Sequence, residues 1–551
     1  MSYHRAVSHF INDRASIVLE ALDAEVALAG GALRRLDGYP AIKVVVRADL
    51  DPTRVAVVSG GGAGHEPAHA GFVGDGMLTA AVSGEIFASP SVDAVLAAIV
   101  AVTGPAGCLL IIKNYTGDRL NFGLAAERAR ALGLAVETVI VGDDIALLNA
   151  PRPRGVAGTL FVHKVAGHLA RAGASLPAIK AAAERVARSV VSIGVSLSSC
   201  TIPGQPAENR IAPGHVELGL GIHGEPGARL MPLPSARELT ATMTGLLESA
   251  LASARDAPLA LLINDLGGVP PIELAIAAHA AVAAVRRPVR HVFGPARLMT
   301  SLDMKGFSIS ALPLSAPDLE AALVSPVGPR AWPSPRAPGA FQPLPLPPAL
   351  RQPGRPASPH PSRRRALARV CEALIIKQAE LDALDARVGD GDTGTTLATA
   401  ARALLAAVDD LPLAQPSELL AAISERLARS MGGSSGILLA IFCAAAGAAV
   451  GDPPDWPAAL GEGMRRVQEY GGAAVGDRTM LDALAPALAA LARTHDLAVA
   501  AREAAAGAAR TAEIVKTAAG RASYVRPDAL RGVQDPGAAA VAAVFAALAE
   551  P

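Results

Sequence analysis

The chain has 551 residues, of which 51% are hydrophobic and 18% charged, a composition that excludes a disordered polypeptide and allows two or more domains with cores of their own. Fifty basic residues balance fifty acidic ones, so there is no electrostatic case for nucleic acid or an anionic membrane as a partner. The four cysteines, Cys108, Cys200, Cys371 and Cys443, are scattered without a CxxC pair, which argues against zinc and against a disulfide framework. Met1 to Arg5 lacks the apolar core of a signal peptide, and the longest apolar run, Ile437 to Val450, is too short to span a bilayer. The expectation is a soluble, cytoplasmic protein.

In chain order, short β-branched runs come first. Val44–Val46, Val55–Val58, Cys108–Ile112, Val136–Val141 and Leu259–Asn264 read as buried strands. Between them, Ser91–Ala101, Asn121–Leu132 and Val156–Ala172 read as helices. Strands alternating with helices predict an α/β domain over residues 1–325, with largely parallel sheets and room for two subdomains. Two strand ends carry chemistry. Val57–Val58 runs into Ser59-Gly60-Gly61-Gly62-Ala63-Gly64-His65-Glu66-Pro67, with four glycines in five positions and His65 behind them. The spacing is neither a Walker A loop nor a GxGxxG fingerprint. Leu109–Ile112 leads into Lys113-Asn114-Tyr115-Thr116-Gly117-Asp118. Ligands of open α/β sheets bind beyond the carboxyl ends of strands, so His65, Lys113 and Asp118 are expected to converge. A third segment, Gly221-Ile222-His223-Gly224-Glu225, sets a histidine in a crowded glycine frame.

Residues 326–361 are rich in proline and arginine with almost no hydrophobic periodicity and read as a spacer. Beyond it, strand patterns nearly vanish. Eight alanine- and leucine-rich segments (366–384, 397–407, 417–430, 436–449, 457–470, 480–494, 498–518 and 537–549) predict an all-α barrel or bundle over 362–551. At its start, Asp385, Asp390 and Asp392 crowd three carboxylates into eight residues, with glycines between them and Gly394-Thr395-Thr396 behind. Such carboxylates repel one another unless cations sit among them. Hard oxygen ligands suit Mg²⁺ together with phosphate oxygens, and the glycines let backbone approach a phosphate.

These segments resemble the dihydroxyacetone kinases in their single-chain, ATP-dependent form. GGGAGHEP, GEIFASPS (Gly84 to Ser91), KNYTGD and GIHGEPG are similar to the ketone-binding half. LDARVGDGDTGTT, MGGSSG (Met431 to Gly436), GDRTMLDAL (Gly476 to Leu484) and GRASY with DPGA (Gly520 to Tyr524, Asp535 to Ala538) are similar to the nucleotide-binding half. Eight motifs in one order, across nearly the whole chain apart from the spacer, make the resemblance specific.

The resemblance implies ATP-dependent phosphorylation of dihydroxyacetone. It assigns His223 to capture of the ketone as a covalent hemiaminal, Asp118 to accept the proton of the attacking hydroxyl, and His65 to assist as acid or base. It gives Lys113 and the backbone of Gly62, Ala63, Gly64 and His65 to the substrate oxygens. Two Mg²⁺ ions are expected on Asp385, Asp390 and Asp392, with phosphate cradled by Thr393, Gly394, Thr395, Thr396, Ser434 and Ser435. Gly471, Met480, Arg521 and Asp535-Pro536-Gly537 are expected at the adenine and ribose end. A homodimer, in which one subunit's nucleotide half serves the other's ketone half, is also implied. Some members of the family carry histidine after the third aspartate, where this chain has Thr393. The alternatives are phosphorylation of a related carbonyl compound such as erythrulose or glyceraldehyde, and FAD-AMP cleavage giving cyclic FMN at the same metal site.

Overall fold

The computed structural model describes residues 9–38, 40–147, 152–206, 210–350, 354–431, 433–515 and 525–550. The chain divides into two units, Met1–Gln342 and Pro343–Pro551. The β-branched runs of the first half form strands of two six-stranded sheets, interior ones except Val136–Val141, which lies at an edge. The first sheet holds β1 (Leu33–Arg35), β2 (Val44–Arg47), β3 (Ala56–Ala63), β4 (Ala80–Ile86), β5 (Cys108–Lys113) and β6 (Val136–Val141), ordered β1-β2-β4-β3-β5-β6. Strands β4, β3, β5 and β6 are parallel, and β1 and β2 add an antiparallel margin.

Alternation along these strands separates two cores, because successive side chains face opposite ways. Val44, Val46, Val58, Leu110 and Ile112 pack against α2 (Val92–Val102) and α3 (Thr116–Ala131), which follow α1 (Ile17–Leu28). Val45, Val57, Leu109 and Ile111 face α4 (Thr159–Arg171) and α5 (Leu176–Ser189). That helical layer also receives Ala260, Leu262 and Leu312 of the second sheet, so the two sheets share it.

The second sheet holds β7 (Val191–Ser196), β8 (His215–Leu218), β9 (Arg229–Pro232), β10 (Leu259–Asp265), β11 (Val289–Arg297) and β12 (Gly306–Pro313), ordered β11-β10-β12-β7-β8-β9. Helices α6 (Ala236–Ala250) and α7 (Pro271–Ala284) cover its far face, and α8 (Pro317–Val324) follows β12. Only β10 and β11 pair in parallel; every other pair is antiparallel. The expectation of largely parallel sheets therefore fails for this sheet. Parallel neighbours need a crossover of roughly a dozen residues or more, usually a helix, and no helix is described between β7 and β8, β8 and β9, or β11 and β12.

Both ends of the proline-rich stretch are packed. Trp332 is buried among Phe293, Phe72 and Phe161 at ring-centroid distances of 5.0, 6.3 and 6.3 Å, and Arg336 bridges to Val292. At the other end Arg355 pairs with Glu418 and Glu425, and Ser358 bridges to Pro412.

The described residues of the second unit are helical: α9 (Pro361–Ile376), α10 (Gln378–Asp385), α11 (Thr393–Ala406), α12 (Pro416–Ser430), α13 (Gly433–Ala449), α14 (Trp456–Gly471), α15 (Leu481–Thr494), α16 (Leu497–Arg510), α17 (Pro527–Leu530) and α18 (Pro536–Ala549). Successive helices pack side by side, α12 on α13, α13 on α14 and α15 on α16, with α16 and α9 both on α18. They surround a cavity of about 710 Å³ whose apolar part is lined by Leu438, Leu439, Leu460, Leu488 and Phe545. Two boundaries differ from the sequence pattern. The first predicted segment is two helices, broken at Lys377, where Gly394 of α11 lies so close to the Gln378 carbonyl that a Cβ would sit 2.0 Å from it. The segment 498–518 is helical only to Arg510 before a short turn at Thr511–Glu513, and residues 516–524 lie outside the described residues.

Trp332→Ala should lower the unfolding free energy of the first unit by about 3 kcal/mol, measured by urea denaturation followed by circular dichroism. An unchanged midpoint would mean that the proline-rich stretch only lies on the surface.

Candidate active site

In the first unit, β3 runs into its glycines against β4 and the turn that follows β4. A Cβ at Gly60 would meet the Val82 carbonyl at 2.2 Å, and one at Gly62 the Ala88 amide nitrogen at 2.7 Å. At Gly61 a Cβ would come within 2.9 Å of Lys113 Nζ and 3.6 Å of Asp118 Oδ2. The bare backbone leaves room for an ammonium and a carboxylate in one place. Lys113 ends β5, is fully buried, and its Nζ has no hydrogen-bond partner among the described residues. Burial pulls its pKa down, while Asp118, Glu225 and Asp143 push it up. Asp118, in the first turn of α3, is buried beside it.

His65 is fully buried, with Nδ1 2.8 Å from the Thr300 carbonyl. A carbonyl only accepts, so Nδ1 carries the hydrogen and Nε2 keeps its lone pair; Nε2 has no partner among the described residues. Burial, with the charges of Lys113 and His223, holds this imidazole well below its ordinary pKa. It is neutral.

His223 lies in the loop after β8. Its ring meets Tyr115, His65 and Phe87 edge-on at centroid distances of 4.6, 4.9 and 5.3 Å. Nδ1 is 2.9 Å from Glu225 Oε1, and the His223 amide donates to Glu225 Oε2 at 3.0 Å. Burial would raise the Glu225 carboxyl, yet the hydrogen bonds from the His223 ring and amide hold it down at about 2. Arg154, paired with Asp144 at 2.6 Å, reaches the same spot: a Cβ at Gly221 would meet both Glu225 Oε2 and Arg154 Nη1. With Nδ1–H given to Glu225, the lone pair of His223 Nε2 is left available. A nucleophilic nitrogen, an ammonium and a carboxylate in one neighbourhood suit addition to a polar carbonyl compound.

In the second unit, Asp385 closes α10, and its Oδ2 accepts the amides of Gly391, Asp392 and Thr393 at 3.1, 3.0 and 3.1 Å. Those bonds fold the loop so that carboxylate oxygens of Asp385, Asp390 and Asp392 all lie within 4.8 Å of one another. A Cβ at Gly389 would sit 2.3 Å from Asp385 Oδ1. Three hard oxygen donors at this spacing fit Mg²⁺. Asp385 and Asp392 line the large cavity together with Thr393, Thr396 and Ser435. Met480, Asp535, Pro536 and Gly537 line it too.

The structure therefore brings His65, Lys113, Asp118 and His223 together, and likewise the three aspartates with most of the expected nucleotide residues. Some placements differ from expectation. The Gly64 amide is taken by the Glu66 carboxylate at 2.9 Å. The Thr395 amide and hydroxyl both bond Asp382 at 2.8 Å, and neither Thr395, Gly394 nor Gly471 lines the cavity. Arg521 and the Ser434 side chain lie outside the described residues.

Residues 30–329 match the Dak1 domain and residues 387–550 the DAK2 domain. The chain belongs to the dihydroxyacetone kinase family. It is 48% identical to the dihydroxyacetone kinase of Citrobacter freundii, over 98% of this chain and 99% of that one. The human triokinase/FMN cyclase is 40% identical over 96% and 97% of the two chains. The crystal structure of the C. freundii kinase in complex with AMP-PNP and Mg²⁺ superposes with a TM-score of 0.80, covering 99% of each chain at 46% identity. Against this family frame, sequence reasoning passed over Glu225, Arg154, Tyr115, Asp382 and Arg478. Only Glu225 carried a usable signal, an acid two residues beyond the singled-out histidine.

Two outcomes follow for the kinase fold. The stabilisation that Glu225 gains from His223 is fully present above its ordinary value of 4.5 and is lost as pH falls toward about 2; Glu225→Gln should flatten acid denaturation curves over that window. Gly389→Ala should weaken Mn²⁺ binding, followed by electron paramagnetic resonance, by about tenfold while the helical circular dichroism is retained.

Proposed function

We propose that the chain is an ATP-dependent dihydroxyacetone kinase that holds its ketone as a hemiaminal on His223 Nε2. The observation that carries this reading is the 2.9 Å contact of His223 Nδ1 with Glu225, which fixes the tautomer and leaves Nε2 nucleophilic. Nε2 adds to the carbonyl carbon, the π electrons move onto oxygen, and the Nδ1 proton passes toward Glu225. The new alkoxide takes a proton in turn, with the unpartnered Lys113 ammonium placed to donate. Polyols such as glycerol have no electrophilic carbon and are passed over. His65, neutral with a free Nε2 lone pair, accepts a hydrogen bond from a substrate hydroxyl. Asp118 accepts the proton of the hydroxymethyl group as its oxygen attacks the γ-phosphorus of ATP and the bond to the β,γ-bridging oxygen breaks.

Asp385, Asp390 and Asp392 are assigned two Mg²⁺ ions, and Thr393, Thr396 and Ser435 the phosphates. When bound, the metal supplies positive charge against the phosphate oxygens. Transfer requires the nucleotide to reach the captured ketone, within one chain or between the subunits of a homodimer. Residues Met480, Asp535, Pro536 and Gly537 are assigned the nucleoside end, with Gly471 and Arg521 on the family pattern alone.

A second reading is FAD-AMP cleavage at the same metal site, favoured by the likeness to the human triokinase/FMN cyclase. It does not need His223.

The test is Mg²⁺- and ATP-dependent phosphorylation of dihydroxyacetone, erythrulose, glyceraldehyde and glycerol, with FAD assayed in parallel. Dihydroxyacetone should turn over and glycerol should not. His223→Ala should lower kcat/KM for the ketone by at least about 10³-fold and leave any FAD cleavage intact. Turnover of glycerol at a comparable rate would sink hemiaminal selection.

A further inference from the structure

We propose that Arg478 binds an anionic phosphate oxygen of the nucleotide in the second unit, an assignment that rests on the nucleotide-site reading above. Arg478 is 1% exposed, the largest of the fully buried side chains. Its Nη2 donates to the Val533 carbonyl at 2.8 Å, while Nε and Nη1 have no hydrogen-bond partner among the described residues. A buried guanidinium short of partners costs folding free energy that one bond to a carbonyl does not return. Such a group is retained where something else supplies the acceptor.

The local backbone is built to hold it there. Arg478 has φ +59°, a left-handed conformation uncommon outside glycine. The loop on either side is fastened by one carboxylate: Asp482 accepts the Gly476 amide at 2.6 Å and the Thr479 amide at 2.8 Å. That clamp turns the side chain inward, onto the cavity that Asp385, Asp392, Thr393 and Asp535 also line. Asp535 attracts the guanidinium through space, but one of its oxygens is held by the Ala538 amide at 2.8 Å as the cap of α18. The cavity is thus rich in carboxylates and has Arg478 as the cation among its lining residues. The chemistry that satisfies a donor-only cation beside a metal-binding triad is a phosphate oxygen; an arginine there neutralises charge that ions on the aspartates leave uncovered.

The experiment is calorimetric binding of Mg·ADP and of adenosine to the full-length chain and to Arg478→Met and Arg478→Lys. Arg478→Met should lose about tenfold or more in ADP affinity with adenosine binding unchanged, and Arg478→Lys should recover part of the loss. In kinetics, KM for ATP should rise more than kcat falls. ADP affinity within about twofold of wild type in a folded Arg478→Met would overturn the proposal. So would a parallel loss of adenosine, which would make Arg478 a shaper of the loop. Should Arg478→Met fail to fold, Arg478→Lys carries the same comparison. Absence of Mg·ADP binding to the wild-type chain would instead overturn the nucleotide-site reading beneath it.

Discussion

The ammonium of Lys113 is buried at the carboxyl end of β5 with no hydrogen-bond partner among the described residues, and much of the first unit follows from accommodating it. Taking a cation out of water is expensive unless opposite charge lies close. Asp118, Glu225 and Asp143 provide that charge from the first turn of α3 and two loops. Gly61 is bare because any Cβ would sit 2.9 Å from Nζ. The same positive charge, added to burial, keeps His65, His69 and His163 far below their ordinary titration range. An imidazole that must offer a lone pair at neutral pH is served by this arrangement, because a nearby fixed cation makes a second one costly.

In the second unit, carboxylates organise loops before they meet any ligand. Asp385 gathers three amides, Asp382 binds the amide and hydroxyl of Thr395, Asp482 holds two amides, and Asp535 caps α18. Each bond turns a flexible acidic or glycine-rich segment into a fixed one. The amides that a simple phosphate-cradle picture would assign to ligand, those of Thr393 and Thr395, are already spent on aspartates.

Much of this was legible in the sequence, and the misses have physical causes. Val44–Val46 and Cys108–Ile112 announced themselves because β-branched runs bounded by turns have few other homes. Strand β12, Gly306–Pro313, did not: Phe307 and Ile309 alternate with Ser308 and Ser310, and the burial of both faces comes from its place between β10 and β7. Strand direction in the second sheet depends on whether a helix intervenes, which periodicity does not report. Trp332 in a proline-rich stretch reads as linker, although a single large ring can anchor such a segment by filling an aromatic cluster. At the sites, the triad and the glycine loop were visible because their chemistry depends on local spacing. Glu225 and Arg478 were not singled out, since an acid near glycines and an arginine beside an aspartate are usually solvated. Only burial and the list of bonded partners distinguish them.

The geometry of the aspartate triad bears on what a metal has to contribute. Three carboxylates within 4.8 Å repel one another, and the cavity they line adds Asp535, whose burial raises its carboxyl to about 6. Charge alone would drive such a cluster apart. It is held instead by bonds that do not involve a cation: Oδ2 of Asp385 accepts three amides, and the bare Cα of Gly389 leaves room beside Oδ1. Shape is therefore supplied by the backbone, and the ion's task is reduced to balancing charge. Preorganisation of that kind shifts the cost of ordering from the binding step to folding. It also explains why the loop needs glycine at 389 and 391, where the backbone must pass close to a carboxylate or adopt φ +79°.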